Sequence, residues 1–142
     1  MAPKPRIYVS TPVDANLSKD QLNFKKKILL QLANDGLDPQ EFHVSGIPAQ
    51  KSWSFQRAVD LMRRCHGALI LGFAQWQDMT PNPSVIMPTE YNHFEGALGI
   101  AFQKEMLIIK EEAVSYRGVM FSGGGEFVLS IPQNAGSSWL KS

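Results

Sequence analysis

Residues 87–109 read MPTEYNHFEGALGIAFQKEMLII, and the fold class turns on them. Pro88 disfavours helix before it and Thr89 offers a capping oxygen, so a helix is expected from there to about Lys104. Glu90 and Glu95 fall in its first two turns, where acids also favour the helix dipole. Gly96, Ala97, Gly99 and Ala101 give the helix a thin back that can lie close to a neighbour. Residues 106–109 form a short, wholly apolar run of the buried-strand type. If Phe94, Leu98 and Ala101 face the core, helical phase puts Glu95 on the flank and Glu90 nearer the sheet edge.

The same alternation extends outward from this stretch. Residues 6–10 (RIYVS) are a β-rich run leading into the loop TPVDAN. Ser18 can cap a helix reaching about Asn34, with Phe24, Ile28, Leu29 and Leu32 as core positions and Gly36 as its stop. Residues 41–44 read as a weak second strand. A second helix fits residues 52–65, with Phe55, Val59, Met62 and Cys65 on one face. Residues 68–74 (ALILGFA) are the clearest buried strand, residues 122–125 a glycine turn, and residues 127–131 a final strand. Strands alternating with helices predict an α/β fold, a flavodoxin-like three-layer sandwich. Its five-stranded, mainly parallel sheet would have the order 2-1-3-4-5. In that order ligands bind beyond the carboxyl ends of the first and third strands, where the winding direction changes. The loops at 10–16 and 75–88 lie there.

The 142 residues suit one domain over 1–135, with 136–142 as a tail or the start of a linker to a further domain. Apolar residues make up 44%, charged residues 19% and the net charge is +1, a profile without the basic field that nucleic acid attracts. Lys25, Lys26 and Lys27 read as a solvated helix face. The lone cysteine, Cys65, rules out an intrachain disulfide framework and reads as buried filler. His43, His66 and His93 lack metal-ligand spacing, so no metal site is expected. Without a signal peptide or a run of membrane-spanning length, a cytoplasmic chain without a membrane partner is expected. No GxxxxGK[ST] run, no GxGxxG after the first strand and no GxSxG elbow occurs.

Carboxylate chemistry remains. A glutamate at the ligand edge of such a sheet can attack or stabilise the oxocarbenium-like carbon formed when a ribose–base bond breaks. It needs an aromatic or amide platform for the base and groups that bind hydroxyls. Glu95 and Glu90 are the candidate catalytic residues, with Ser10, Thr11, Asp14, Trp76, Tyr91 and Asn92 as candidate substrate contacts. The alternative is structural, with both acids serving the helix dipole and Trp76 packing under a loop.

Three segments, RIYVSTP, CHGALILG and YNHFEGALGIAFQKEMLII, together resemble a superfamily. It joins Toll/interleukin-1 receptor (TIR) domains with nucleoside 2-deoxyribosyltransferases, and the likeness covers roughly residues 5 to 110. In both families a glutamate begins a helix about nine residues before a lysine that opens the next strand, and Glu95 and Lys104 have that spacing. TIR enzymes often carry an aromatic residue four positions before the glutamate, where Tyr91 stands. The resemblance implies that Glu95 cleaves the nicotinamide–ribose bond of NAD+, a substrate rather than a resident cofactor. It also implies self-association, a possible sensor domain in a longer chain and a role in bacterial antiviral defence. A nucleoside or nucleotide 2-deoxyribosyltransferase or N-glycosidase is the other enzymatic expectation, and a TIR-like nucleotide-binding or interaction module the non-enzymatic one. Deoxyribosyltransferases usually hold an aspartate eight residues before an acidic residue at the third strand. Ala58 and His66 occupy those positions, and the nearby Asp60 falls in phase with the solvent face.

Overall fold

A computed structural model of the chain describes residues 3–12, 14–41, 55–74, 76–78, 85–88, 90–115 and 127–132. The first strand, β1, is Arg6–Ser10, and a one-turn 3-10 helix at Asp14–Asn16 leads to α1, Lys19–Asn34. Then follow β2 (Asp38–Glu41), α2 (Phe55–Arg63), β3 (Gly67–Gly72) and a short antiparallel pair, β4 (Trp76–Asp78) and β5 (Val85–Met87). Helix α3 (Glu90–Ala101), β6 (Glu105–Glu111) and β7 (Phe127–Ile131) complete the described elements. The main sheet has the order β2-β1-β3-β6-β7 with every neighbouring pair parallel, which is the expected 2-1-3-4-5 winding.

Strand β3 is central and buried along its whole length, as a strand covered on both faces should be. Side-chain alternation divides the core between the two faces. Ala68 packs with Tyr8, Ala58, Met62, Cys65 and Leu98 beneath α2 and α3, whereas Leu69 and Leu71 pack with Val9, Ile109, Phe24 and Ile28 beneath α1. Phe24 also meets Phe73 edge to face, with ring centroids 6.2 Å apart.

Helix α1 starts as expected. Ser18 Oγ accepts from Gln21 N at 3.1 Å while Gln21 Oε1 accepts from Ser18 N at 2.9 Å, a reciprocal capping box. Gly36 ends it in the left-handed region, with φ of 85°. The lysine triplet needs a correction. Lys26 is exposed, but Lys25 is buried, its ammonium bound to Asp14 at 2.5 Å and Glu41 at 2.9 Å. Burial works against its charge, yet the hydrogen bonds it donates to Asp14 and Glu41, with their negative charges, outweigh it and hold the Lys25 pKa above its ordinary value. Its neighbour Phe24 fixes the phase, turning Lys25 toward two acids from neighbouring elements.

The second strand is Asp38–Glu41, three residues earlier than expected; residues 42–44 lie outside the described residues. Pro39 argues against a strand by propensity, but this is the sheet's edge, where one missing amide is tolerated. Pairing with β1, Ile7 opposite Pro39, overrides the local preference. Helix α2 ends at Arg63, with Val59, Met62 and Cys65 buried as expected and Ala58 and Leu61 beside them. Residues 52–54, the glycine turn at 122–125 and the tail at 136–142 lie outside the described residues. The loop expected over 75–88 contains the β4–β5 pair, in which Trp76 stands opposite Met87. Among the described residues no helix is long and apolar enough to cross a membrane, and no cluster of three metal-ligating side chains occurs.

Burial pushes the Cys65 thiol up to about 11, the nearby charges of Lys104, Arg6 and Arg64 offsetting this only in part. Burial, and then the charge of Glu95, also drives the Tyr8 phenol well above its usual range. Each group ionises in the unfolded chain before it does in the folded one. Stability is therefore full below the unfolded thiol pKa and is lost as pH rises. The melting temperature should hold to about pH 8.5 and then fall toward pH 11, with Cys65 contributing about 2–3 kcal/mol of that loss. Thermal unfolding followed by circular dichroism with reductant present measures this. A melting temperature that stays level through about pH 10.5 would contradict the buried thiol.

Candidate active site

Strand β1 delivers its even-numbered side chains, Tyr8 and Ser10, to the face covered by α3. Both are 0% exposed, and Ser10 lies at the carboxyl end of the strand, beside the point where the winding reverses. Against them α3 sets Glu95, which is 4% exposed. The Tyr8 hydroxyl donates to Glu95 Oε2, and Ser10 Oγ donates to Glu95 Oε1 at 2.7 Å. Each carboxylate oxygen thus receives a hydroxyl from the same strand, an arrangement that stabilises the ionised form. Asn92, one turn earlier on the same face, donates through Nδ2 to Ser10 Oγ at 2.8 Å and to Ser10 O at 3.2 Å.

This turns the phase expected for α3, of whose three expected core residues only Leu98 is buried. Phe94 is 48% exposed and Ala101 is exposed, while Asn92, Glu95, Gly96, Leu98 and Gly99 are buried. Hydrophobicity misleads here because the buried polar groups find partners on β1 that no local pattern reveals. The glycines let the helix approach. A Cβ added to Gly99 would stand 2.7 Å from Met106 Sδ. Helix α3 also ends at Ala101, before the expected Lys104, with Gln103 in the left-handed region at φ 56° and Lys104 N bonded to Gly99 O.

The other candidates are placed unequally. Thr11 follows β1, half-buried, its hydroxyl 3.4 Å from Pro12 O. Asp14 lies in the 3-10 turn and is engaged with Lys25, though its side chain is 59% exposed. Tyr91 is largely open on the outer side of α3, its ring centroid 6.5 Å from that of Phe94. Trp76 is in β4 and Glu90 opens α3, but their side chains lie outside the described residues. Asp60 is exposed as expected and accepts from Gln56. The structure therefore joins Glu95, Ser10 and Asn92. It adds Tyr8, which reads in sequence as an apolar strand residue; its shared parity with Ser10 is the available signal.

The surrounding edge is held by buried charges. Glu111 Oε1, at the end of β6, accepts from Gln21 Nε2 at 2.8 Å and Ala74 N at 2.9 Å, tying α1 and the exit of β3 together. Lys110 Nζ donates to the carbonyls of Glu111, Glu112 and Val114, gathering the turn after β6. His93 is kept below its ordinary pKa by burial, so its imidazole is neutral at neutral pH. An apolar groove of about 420 Å³ lies at the other end of the sheet, lined by Ile7, Leu37, Gly67 and Met106. Ile7 and Ser10 are three residues apart along β1, about 10 Å, so this groove is separate from Glu95.

Neither a protein-family model nor a curated protein sequence matches the chain. The fold does have a solved counterpart. It is similar to the CMP N-glycosidase BcmB of Clostridium botulinum, with a TM-score of 0.53 and 16% identity over 96% of this chain and 94% of that one. At that identity the likeness establishes the architecture, and the chemistry of the present chain rests on its own residues.

Proposed function

We propose that the protein breaks the N-glycosidic bond of a nucleoside or nucleotide, with Glu95 acting on the anomeric carbon. One observation carries this: a buried glutamate at the ligand edge of a parallel sheet, held at both oxygens by hydroxyls of β1. A carboxylate fixed in this way is suited to meet positive charge developing at C1′. The C1′–N bond breaks, the base leaves with the electron pair and takes up a proton, and Glu95 either shields the cation or bonds to it. Water then delivers hydroxide to C1′ and restores the carboxylate; a second base in place of water gives transfer. The Tyr8 phenol remains a donor throughout the neutral range because its ionisation is pushed far upward.

The structural neighbour is an N-glycosidase, which favours this reading over the narrower NAD+-specific one. Cleavage of NAD+ by a self-associating, TIR-like effector is the second reading. It draws on the exposed Tyr91 four residues before Glu95.

The deciding experiment incubates the protein, at low and high concentration, with CMP, other nucleoside 5′-monophosphates, nucleosides and NAD+. Free base from a nucleotide or nucleoside supports the proposal, and base exchange narrows it to a transferase. Nicotinamide release alone moves the assignment to the second reading. Silence on every substrate, from folded protein at both concentrations, returns Glu95 to a structural role.

A further inference from the structure

Asn92 has the look of a sugar contact by sequence, an amide one turn from the catalytic candidate. Its geometry differs. It is 0% exposed, and so is Ser10, so neither side chain is open to a bound sugar. A main-chain carbonyl can only accept, so the 3.2 Å contact with Ser10 O fixes which end of the Asn92 amide faces Ser10. Nδ2 must point there, and it then also donates to Ser10 Oγ at 2.8 Å. With a donor already on that oxygen, the single Ser10 hydroxyl hydrogen goes to Glu95 Oε1 at 2.7 Å. The orientation carries a cost, since Asn92 Oδ1 is buried and has no hydrogen-bond partner among the described residues. A buried acceptor left unsatisfied calls for a compensating role.

We propose that Asn92 is a positioning residue that acts through Ser10, locking the serine hydroxyl onto the Glu95 carboxylate and so holding that carboxylate oriented and ionised. This rests on the N-glycosidase reading only for its kinetic arm. Among the described residues, Tyr8 on β1 is a titratable group that touches Glu95, and Cys65, just after α2, acts on Tyr8 in turn. His93 lies two residues back on α3, and Lys110, at the end of β6, donates to main-chain carbonyls.

Asn92→Asp keeps the shape but places an acceptor where Nδ2 was, drawing the serine hydrogen away from Glu95. The test has a spectroscopic arm and a kinetic arm. In the first, the Glu95 side-chain carboxyl is titrated by carbon NMR, assigned by its loss in Glu95→Gln. Its titration should move up by about one pH unit in Asn92→Asp, and by a similar amount in Ser10→Ala. Combined with Ser10→Ala, the uncharged Asn92→Leu should add no further shift, because both act through one hydroxyl, whereas the carboxylate of Asn92→Asp would also act on Glu95 by its own charge. In the second arm, kcat should fall about tenfold or more with KM unchanged. A rise in KM at unchanged kcat makes Asn92 a sugar contact and overturns the proposal. An unmoved carboxyl titration in Asn92→Asp, or additive shifts in the double variant, overturns it equally. If Asn92→Asp does not fold, Asn92→Leu, which frees the serine hydroxyl, should give a smaller upward shift, and no shift there is also negative. Failure of the N-glycosidase reading itself shows as absent turnover by the wild-type protein, which leaves the NMR arm decisive.

Discussion

Glu95→Gln is expected to lower glycosidic-bond cleavage by about a thousandfold or more while the protein stays folded. The substitution keeps the shape of the side chain and removes the charge that meets the cation at C1′. A thousandfold loss corresponds to about 4 kcal/mol of transition-state stabilisation, within the range for removing a group whose main work is done in the transition state. The site tolerates the amide. Its oxygen still accepts one of the two hydroxyls that Glu95 receives from Tyr8 and Ser10, and the other hydroxyl can turn to accept from the new NH2. The loss should therefore appear in kcat, with substrate affinity close to that of the parent. Base release measured by chromatography, alongside equilibrium binding of the same substrate, separates the two quantities. Retained turnover in Glu95→Gln would remove Glu95 from the chemistry, and the parallel Glu90→Gln variant then asks whether the other carboxylate of α3 carries it.

Tyr8→Phe should give the second-largest effect, on activity and stability together. The substitution removes one oxygen and leaves the ring in the core among Ala58, Met62, Cys65 and Ala68. What is lost is the donor to Glu95 Oε2. A charge-assisted hydrogen bond in a buried site contributes about 1.5–3 kcal/mol, so a similar loss of folding stability is expected at neutral pH. Turnover should fall about tenfold to a hundredfold as the carboxylate loses one of its two β1 anchors. Glu95 in this variant should protonate at a higher pH than in the parent, so the acid limb of kcat/KM moves upward. Urea unfolding measures the first effect and a pH–rate profile the other two. A variant as stable and as active as the parent would show that the phenol is only a packing element. Alkaline stability offers an internal check. Tyr8→Phe removes one of the groups whose ionisation weakens the fold at alkaline pH, and the decline below about pH 10, where only the thiol has begun to ionise in the unfolded chain, should be unchanged and reflect Cys65.

The regular elements are readable where local chemistry and burial agree. In α1 the Ser18–Gln21 cap, the apolar stripe through Phe24 and Ile28 and the Gly36 stop all point the same way, and the helix follows them. Strand β3 is readable because ALILG is buried on both sides and has no polar residue to place. The reading slips where the tertiary structure outweighs local preference. The second strand is expected three residues late, yet pairing with β1 takes in Pro39, because an edge strand can spare its amide. Lys25 is expected in solvent because lysine runs usually are, yet Asp14 and Glu41 converge on it from elsewhere in the chain.

Within the site, the sequence carries Glu95 but misleads about its orientation. The carboxylate stands out through the family resemblance, carried by its spacing to Lys104, and by falling in the first two turns of a helix. Its inward direction is not legible, because the hydroxyls that make its burial tolerable come from β1, 85 and 87 residues away in the chain. Tyr8 escapes notice for the same reason, as a tyrosine in an apolar strand is ordinary core until a carboxylate is found against it.

By itself, then, the sequence determined the alternation of strands and helices, the parallel winding and the short list of carboxylates, because period, caps and turn residues are local properties. The tertiary structure alone decided that Glu95 faces inward, which hydroxyls hold it and that Asn92 donates to Ser10. Those are decisions about burying polar groups, and a buried polar group is settled by the partner that the fold brings to it.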